Sequence, residues 1–293
     1  MPTFRYPPDG HWYKGNTHVH STASDGGKTF PELASLYRAA GFDFLFRTDH
    51  WVASSVADDR ETYPLLWLDG VELDGRDRSG AGFHVVALGA FTGVRREMGL
   101  EEAMRAARAQ GGLLILAHPQ WMGNSFADAR RWQFDGVEVY NHVCHFLNGK
   151  GDGAAYWNAM LENNPNTLAL AVDDAHIKPG DPGPGGGWIV VNTPRCASED
   201  ILAALRGGLY YSSCGPAIDS ITWDGEIVVL ICSPVRFVRL VGPAWRGMRC
   251  GSFDGGLLNE AAFRLPPDWE YAYLELEDDQ GRRAWTNPLF VAE

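Results

Sequence analysis

Between residues 12 and 192, short apolar runs recur along the chain, and each is followed by polar residues and then by a loop or an amphipathic segment. Runs this dense in aliphatic residues are typical of strands that are buried on both faces, as in parallel sheets. They occupy residues 42–46, 65–68, 113–117, 136–140 and 167–172. The pattern therefore predicts a sheet of short buried strands joined by helices and loops.

Three amphipathic helices are predicted between these strands. The first begins after a Thr29 cap and ends at Gly41, and the second spans residues 100–110. The third begins at a Ser198 cap and ends at Gly207. Strands and helices in alternation predict an α/β fold, either a βα barrel or a doubly wound sheet.

Two segments depart from this pattern. Residues 178–187 (KPGDPGPGGG) are too rich in Gly and Pro for a helix or a strand, and long loops inside a domain are more often functional than accidental. After residue 216, short alternating runs separated by turns predict a small C-terminal antiparallel β module without histidine. We therefore expect a barrel-like domain over residues 1–212 and a β-rich module packed on it over residues 213–293.

Composition limits the function classes. The 293 residues carry 37 acidic and 25 basic side chains, a formal charge of −12, which argues against a protein that tracks nucleic acid. The five cysteines are widely spaced, so they predict neither a disulfide framework nor a zinc ribbon. The chain shows no signal-like start and no apolar run of membrane-spanning length. We expect a cytoplasmic protein with a small-molecule substrate, and its oligomeric state stays open.

The nine histidines all precede Ile177, and most lie where short strand-like runs begin or end. In βα architectures functional residues gather at such positions, because the sheet holds the backbone rigidly at an open face. Carboxylates occupy the same places. The histidines and acids placed in this way are His18, His20, Asp25, Asp49, His50, Glu72, His84, His118, Glu138, Asp173, Asp174 and His176.

Imidazole and carboxylate together are a ligand set for zinc, manganese and iron. His18 and His20 are two residues apart, so on an extended segment both project to one side and can hold one ion. Asp174 and His176 repeat this spacing. A single histidine of this kind is usually an ordinary hydrogen-bonded residue, as we expect for His11, but so many at comparable positions predict a metal centre.

The motifs around these residues resemble, in the same order, those of the PHP (polymerase and histidinol phosphatase) superfamily of metal-dependent hydrolases. They are GNTHVHS (15–21), SDG (24–26), TDH (48–50), GVE (70–72), AHP (117–119) and DAH (174–176). Later segments are similar to the CehA/McbA-type branch, which includes carbamate and ester hydrolases. They are WIVV (188–191), AALRGG (203–208), SCGP (213–216) and AWTNP (284–288).

The resemblance implies a distorted (β/α)7 barrel with two or three divalent ions (zinc, manganese or iron) at its mouth. One ion would be held by His18, His20, Glu72 and Asp174. A second would be held by Asp25, His50 and His176, with Glu72 bridging toward a third held by His84 and His118. The chain departs from the family where Val172 and Asp173 replace the usual pair of small residues before Asp174.

Such a centre suits hydrolysis, since a metal-bound water becomes hydroxide near neutral pH and no side-chain nucleophile is required. Candidates for catalysis beside that water are His118, His84 and Asp49, and candidate substrate contacts are Asn141, His142, Lys178, Arg47 and Trp188. The favoured function is hydrolysis of a phosphomonoester or phosphodiester. Hydrolysis of a carboxylic ester, amide or carbamate is the alternative on the same centre, and a non-catalytic metal-binding module is the alternative from another class.

Overall fold

The computed structural model describes residues 3–6, 10–53 and 63–291, which form a mixed α/β fold. The strands are β1 (Thr3–Phe4), β2 (His11–Asn16), β3 (Phe44–Arg47), β4 (Leu66–Arg76), β5 (Gly82–Leu88), β6 (Leu113–Leu116), β7 (Gly136–Asn141), β8 (Leu168–Val172), β9 (Trp188–Thr193), β10 (Tyr210–Ser213), β11 (Ile218–Trp223), β12 (Ile227–Val235), β13 (Phe237–Val241), β14 (Gly247–Cys250), β15 (Leu258–Arg264), β16 (Tyr273–Glu277), β17 (Arg283–Thr286) and β18 (Phe290–Val291). The helices are α1 (Phe30–Ala39), α2 (Leu100–Ala109), α3 (Pro119–Met122), α4 (Phe126–Arg131), α5 (His142–Asn148), α6 (Ala154–Leu161) and α7 (Ser198–Gly207), with a short 3-10 helix at Arg96–Met98.

Thirteen of these strands form one sheet in the order β14-β13-β16-β17-β10-β9-β2-β3-β4-β5-β6-β7-β8. The pairs β2–β3, β3–β4, β6–β7 and β7–β8 are parallel, as the buried apolar runs predict. β4 and β5 instead form an antiparallel hairpin. The predicted strand at 65–68 is only the first part of β4, because the chain stays extended to Arg76 before it turns around Gly80, whose φ of 85° favours glycine.

Hydrogen bonds of one side chain connect β8, at the end of this sheet, to β10. The Ala171 amide of β8 donates to the Ser212 hydroxyl of β10 at 3.0 Å, and that hydroxyl donates to the Ala169 carbonyl at 2.9 Å. In addition, Val19 after β2 and Ala175 after β8 form an isolated parallel bridge. The α/β class is thus confirmed, and the closed (β/α)7 barrel stays a prediction.

An apolar core occupies the face of the sheet that carries the candidate ligands. Phe46 on β3 and Leu68 on β4 belong to it, and Leu205 of α7 is part of the same buried cluster. Because side chains alternate along a strand, Leu68, Glu72 and Asp74 share one face of β4. The apolar start of the strand is therefore anchored in the core while its polar continuation reaches the candidate site.

The three predicted helices are confirmed, with small shifts at their ends. α1 follows Thr29, whose amide donates to the Glu32 carboxylate at 2.8 Å in a capping box. α2 ends at Ala109, and α7 has Ala197 rather than Ser198 at its cap position. None of the helices in the described ranges is long and apolar enough to cross a membrane.

The chain after β10 is antiparallel, as predicted. β11, β12 and β15 form a separate three-stranded sheet, whereas β13, β14, β16 and β17 extend the large sheet. This extension passes through β10, where Ser212 pairs with Trp285 of β17. One continuous sheet therefore joins the two predicted domains, and the boundary at 212/213 stays a prediction.

Candidate metal centre

Three chain segments bring four candidate ligands into one buried group. His18 and His20 follow β2, and their Nε2 atoms lie 3.1 Å apart. Glu72 on β4 places Oε2 3.2 Å from His18 Nε2 and 3.1 Å from His20 Nε2. Asp174, after β8, places Oδ1 3.2 and 3.1 Å from the same two nitrogens. All four side chains are buried, so two nitrogens and two oxygens converge where solvent barely reaches.

A second and more exposed group adjoins the first. His20, Asp25, His50 and His176 each offer a ligand atom within 4.8 Å of the others. Asp25 Oδ2 lies 3.1 Å from His176 Nε2, and the other oxygen of Asp25 lies 3.4 Å from His20 Nδ1. The group contains the second predicted ligand set together with His20, which the resemblance assigns to the first set alone.

Glu72 connects these groups to the remaining histidines. Its Oε1 lies 2.8 Å from His84 Nδ1 and 3.4 Å from His118 Nε2. The ligand atoms of His18, Glu72 and His118 form one possible metal-holding group, and those of His50, Glu72 and His84 form another. The structure thus brings all nine predicted ligands together but pairs His84 and His118 with different neighbours, and the ions each would hold stay a prediction.

The donor set fits divalent metal ions. Among the described ligands, the buried nitrogens His20 Nδ1 and His118 Nδ1 make no hydrogen bond. Unpartnered buried polar atoms are rare in folded proteins. Burial lowers the pKa of His20, but hydrogen bonds to Asp174 and Glu72 outweigh it and raise that pKa to about 9. Imidazole nitrogens and carboxylate oxygens in this arrangement are the ligands of zinc, manganese and iron.

The backbone is strained at or next to several ligands. The φ angle is positive at Trp51 (56°), His118 (27°), Asp174 (53°) and Ile177 (47°). His118 and Asp174 are predicted ligands, and the other two residues directly follow the ligands His50 and His176. Such a residue costs about 1–3 kcal/mol and persists only where the surrounding structure holds it in place. Strain concentrated at these positions is typical of a functional site.

Glu138 on β7 supports the buried group by binding the ring nitrogen of His18 that does not face the other ligands. It accepts hydrogen bonds from His18 Nδ1 at 2.6 Å, from the His118 amide at 2.8 Å and from Asn141 Nδ2 at 2.9 Å. A carboxylate on Nδ1 leaves Nε2 free for a metal and fixes the ring orientation. The sequence placed Glu138 among the acids at strand ends but predicted no role for it.

Asp74 plays the corresponding part for His50. Its Oδ1 lies 3.2 Å from His50 Nδ1, and Arg96 donates to both oxygens of Asp74 at 3.1 and 3.0 Å. Burial raises the pKa of Asp74, but His50 and Arg96 outweigh it and lower that pKa to about 2. Sequence reasoning missed this residue, although its position two residues after Glu72 places both carboxylates on one face of β4.

Asp49 and Arg47, which the sequence predicts at the site, form hydrogen bonds that support the loop next to the ligands. Asp49 is fully buried and accepts hydrogen bonds from the Ser21 amide and hydroxyl, from the Ser24 hydroxyl and from Arg47 Nε. The Arg47 guanidinium also lies 5.4 Å from the ring centroid of Trp67. With both its oxygens accepting hydrogen bonds, Asp49 fixes the loop after His20, and a catalytic role for it stays a prediction.

Asn141 and His142 are held by contacts within the protein. Asn141 is fully buried, caps α5 by accepting from the Cys144 amide at 2.9 Å, and donates to Glu138 and to Asp174 at 3.1 Å. The His142 ring packs against Gly186 so closely that it leaves no room for a side chain there. Burial lowers the pKa of His142. Both residues connect α5 to its neighbours.

The last two predicted substrate contacts differ in position. Trp188 belongs to the hydrophobic packing, with Lys14 Nζ 4.2 Å from its ring centroid. Lys178 borders the cavity beside the ligands, and its Nζ lies 3.9 Å from Asp25 Oδ2. Of the five predicted contacts, Lys178 is therefore the one that lines the cavity beside the candidate ligands.

Asp173 explains how the glycine-rich loop is held. Its carboxylate accepts from the amides of Gly185, Gly186 and Gly187 at 2.9, 2.7 and 2.9 Å and from the Tyr37 hydroxyl at 2.8 Å. The departure from the family pattern before Asp174 thus supplies an anchor for the loop. This anchored loop carries Lys178 and Asp181 to the cavity.

A cavity of about 400 Å³ opens beside the ligands. Its lining comprises seven predicted ligands, a basic and an acidic residue of the glycine-rich loop, and side chains of α3 and α5. They are Asp25, His50, Glu72, His84, His118, Asp174, His176, Lys178, Asp181, Trp121, Val143, Cys144, Phe146 and Leu147. A small molecule in this cavity would contact the candidate ligands directly.

Comparison with known proteins shows the fold. No family model matches the chain, and no curated protein does. A two-domain protein from Bacteroides vulgatus, containing a predicted PHP-like metal-dependent phosphoesterase, is 15% identical with a TM-score of 0.51, and the match covers 98% of each chain. At this identity the likeness shows a shared fold over nearly the whole chain.

Two further solved structures are less similar. A protein from Bifidobacterium adolescentis assigned as a metal-dependent phosphoesterase is 15% identical with a TM-score of 0.41, covering 58% of this chain and 89% of its own. An amidohydrolase from Chromobacterium violaceum, with bound sulfate and no metal, is 15% identical with a TM-score of 0.37, covering 67% of this chain and 96% of its own. The shared fold therefore rests on the Bacteroides vulgatus protein.

Proposed function

We propose that this protein is a metal-dependent hydrolase of phosphate esters, a member of the PHP superfamily and of its CehA/McbA-type branch. The observation that carries the proposal is the convergence of nine histidine and carboxylate ligands beside an open cavity. The Bacteroides vulgatus protein of the same fold contains a predicted phosphoesterase, which supports phosphate over other esters.

The nine candidate ligands would hold two or three divalent ions, zinc, manganese or iron. Bound there, such ions would activate a water as nucleophile and neutralise charge that develops on the attacked centre and the leaving oxygen. Glu138 holds His18 in the tautomer that presents Nε2, and Asp74 faces the ring nitrogen of His50 that points away from Glu72. Of the two histidines proposed for catalysis, His84 is more exposed than His118, so a substrate in the cavity would reach it more readily.

A side-chain nucleophile is not required for this chemistry. Cys144 borders the cavity, but burial and the nearby carboxylates Asp174, Glu138 and Glu72 raise the pKa of its thiol. A thiol held in the neutral form is a poor nucleophile. The lining therefore favours attack by water.

One observation favours a second candidate, the hydrolysis of a carboxylic ester, amide or carbamate. Lys178 is the one basic side chain among the residues that line the cavity in the described part of the chain. A phosphate dianion would thus depend almost entirely on metal ions for its neutralisation. A non-catalytic metal-binding module is disfavoured, because a purely structural centre needs no open cavity.

The acidic balance of −12 supports a small-molecule substrate over nucleic acid. We propose that the protein acts in the cytoplasm without a membrane partner.

Elemental analysis followed by a substrate panel tests the proposed function. The protein is loaded with zinc, manganese or iron and assayed on phosphate mono- and diesters and on 1-naphthyl acetate and 1-naphthyl N-methylcarbamate. We expect phosphate ester hydrolysis that chelation removes and metal restores. Hydrolysis of the carbamate or acetate alone would select the second candidate, and full phosphatase activity in a chelated, metal-free sample would refute the metal-dependent mechanism.

A further inference from the structure

One side of the cavity is apolar, and we name it the apolar wall: Trp121 of α3 with Val143, Phe146 and Leu147 of α5. We propose that the wall selects esters whose alcohol part is an aromatic ring or a short apolar chain. This proposal rests on the hydrolase function above and adds the substrate class.

The exposure of the wall is its first notable property. The exposed fractions of Trp121, Phe146 and Leu147 are 39%, 54% and 58%. Single large apolar residues at a surface are ordinary, but several that border one cavity mark a binding site. The candidate ligands line the same cavity.

The wall and the ligands adjoin each other directly. The ring centroid of Trp121 lies 5.3 Å from that of His118 and 6.0 Å from that of His84, both in edge-on geometry. α3 begins immediately after His118, and α5 begins immediately after Asn141, which caps it. Because Trp121 lies beside two candidate ligands and the rest of the wall lines the same cavity, an ester group at the ligands would have its alcohol part near the wall.

Two charged side chains of the glycine-rich loop also line the cavity. Lys178 and Asp181 belong to the glycine-rich loop, where the Lys178 amide donates to the Asp181 carboxylate at 3.0 Å. A strongly hydrated alcohol would lose water against the wall without gaining hydrogen bonds in return. An apolar alcohol gains from removing both surfaces from water.

The size of the cavity favours a small molecule over a protein partner. Its volume of about 400 Å³ lies within the range of ligand pockets, roughly 300–1,000 Å³. A stable protein interface instead covers about 800 Å² of each partner. We therefore assign the wall to the substrate rather than to a second copy of this chain.

Phe146 and Leu147 allow a clean test, because no hydrogen bond, ion pair or ring contact ties either of them to a candidate ligand in the described structure, unlike Trp121. The Phe146→Ala and Leu147→Ala variants, and the double variant, are loaded with metal and compared with the wild type on 1-naphthyl phosphate and on glycerol 2-phosphate. We expect kcat/KM for the naphthyl ester to fall about tenfold in the double variant, since loss of apolar contact discriminates by roughly that factor. Turnover of the glycerol ester should change less than about twofold.

Phe126→Ala is the matched control. Phe126 is 47% exposed on α4 and packs against Tyr156 at 5.0 Å between ring centroids, outside the wall. This variant should hydrolyse both esters as the wild type does. Equal losses on both esters in the wall variants, or none on either, would overturn the proposed substrate class while leaving the hydrolase function intact.

Binding provides a readout that is independent of turnover. Equilibrium binding of 1-naphthylphosphonate, a non-hydrolysable analogue, should weaken about tenfold in the double variant. Weaker binding in the double variant would support the wall even if the protein hydrolysed no ester. A lack of hydrolysis would refute the proposed function and would leave the wall unaffected. Unchanged binding would overturn the wall, and so would a wild-type dimer that the double variant converts to a monomer in sedimentation velocity.

Discussion

The candidate centre has an inner and an outer side that are held in place by different forces. On the inner side, His18 is fully buried and its partner Glu138 is 1% exposed. On the outer side, His50 faces Asp74, whose side chain is 24% exposed and whose other partner, Arg96, lies at the surface. Packing fixes the inner ligands from all directions, whereas charges shared with solvent hold the outer ones. We infer that the fold preorganises the inner side more strictly than the outer side.

The largest expected effect comes from removing an inner ligand. The His18→Ala variant should lose at least one ion per chain. Its activity should fall by more than the roughly 100-fold that is typical when a residue hydrogen-bonded to a metal ligand is replaced. The metal content by elemental analysis and kcat/KM check this. His11→Ala, on β2, is the control and should keep the wild-type metal content. Full metal content in His18→Ala would show that the inner side does not hold an ion.

The next effect comes from Glu138→Gln. Glu138 accepts from three donors, so a glutamine would turn its NH₂ group toward at least one of them. We expect metal affinity to fall by about 10- to 100-fold, and the free energy of unfolding to fall by about 1–3 kcal/mol. Competition with a chelator and thermal unfolding measure the two quantities. The exposed Glu162→Gln is the control, and equal behaviour of the two variants would remove Glu138 from the centre.

A smaller effect is expected for Asp74→Asn. An asparagine keeps an oxygen near His50 Nδ1 but loses the charge shared with Arg96, and the pair is partly solvated. Metal affinity should therefore fall by at most about tenfold. Arg96→Gln should have a still smaller effect, since exposed ion pairs contribute little. Chelator competition measures the metal affinity of both variants. A larger loss of metal affinity in Asp74→Asn than in Glu138→Gln would contradict the stricter preorganisation of the inner side.

The smallest effect concerns the tip of the hairpin that carries Glu72, Asp74 and His84. Burial raises the pKa of Asp77, but hydrogen bonds from Ser79 and Arg131 outweigh it and lower that pKa to about 2. Stabilisation by the ionised form is complete above the ordinary value of 3.8 and is lost as the pH falls toward 2.

The variant for this test is Asp77→Asn. The difference in Tm between wild type and variant should narrow as the pH falls from 5 to 2. Asp268→Asn, at a side chain that is 69% exposed, is the control and should leave Tm close to the wild-type value, since exposed ion pairs contribute little. A constant difference between wild type and Asp77→Asn would contradict the assignment.

Local patterns predicted much of the fold. The capping box at Thr29 and Glu32 predicted α1, because its hydrogen bonds form between residues three apart in the chain. The continuous apolar runs predicted four parallel strand pairs for a similar reason, since burial on both faces leaves no polar alternation. The β4–β5 hairpin was missed, because an apolar run does not show where an extended strand stops.

The site was predicted unevenly. Histidines and acids with regular spacing at strand ends, such as His18 with His20, could be selected from the sequence. Asp49 also fitted that pattern, but Ser21, Ser24 and Arg47 occupy its oxygens. Whether a polar side chain faces a cavity or a neighbouring hydrogen-bond donor depends on contacts distant in the chain, which spacing does not encode.

The sequence by itself determined which side chains can offer lone pairs and which of them lie at the ends of strands. Only the tertiary structure decided that Glu72 lies between the groups, that Glu138 and Asp74 stand behind His18 and His50, and that an apolar wall faces them. The physical reason is that the ligand chemistry of a side chain is a property of the individual residue, and the end of a strand follows from the local pattern. Orientation and enclosure arise from packing between segments that are far apart in the chain.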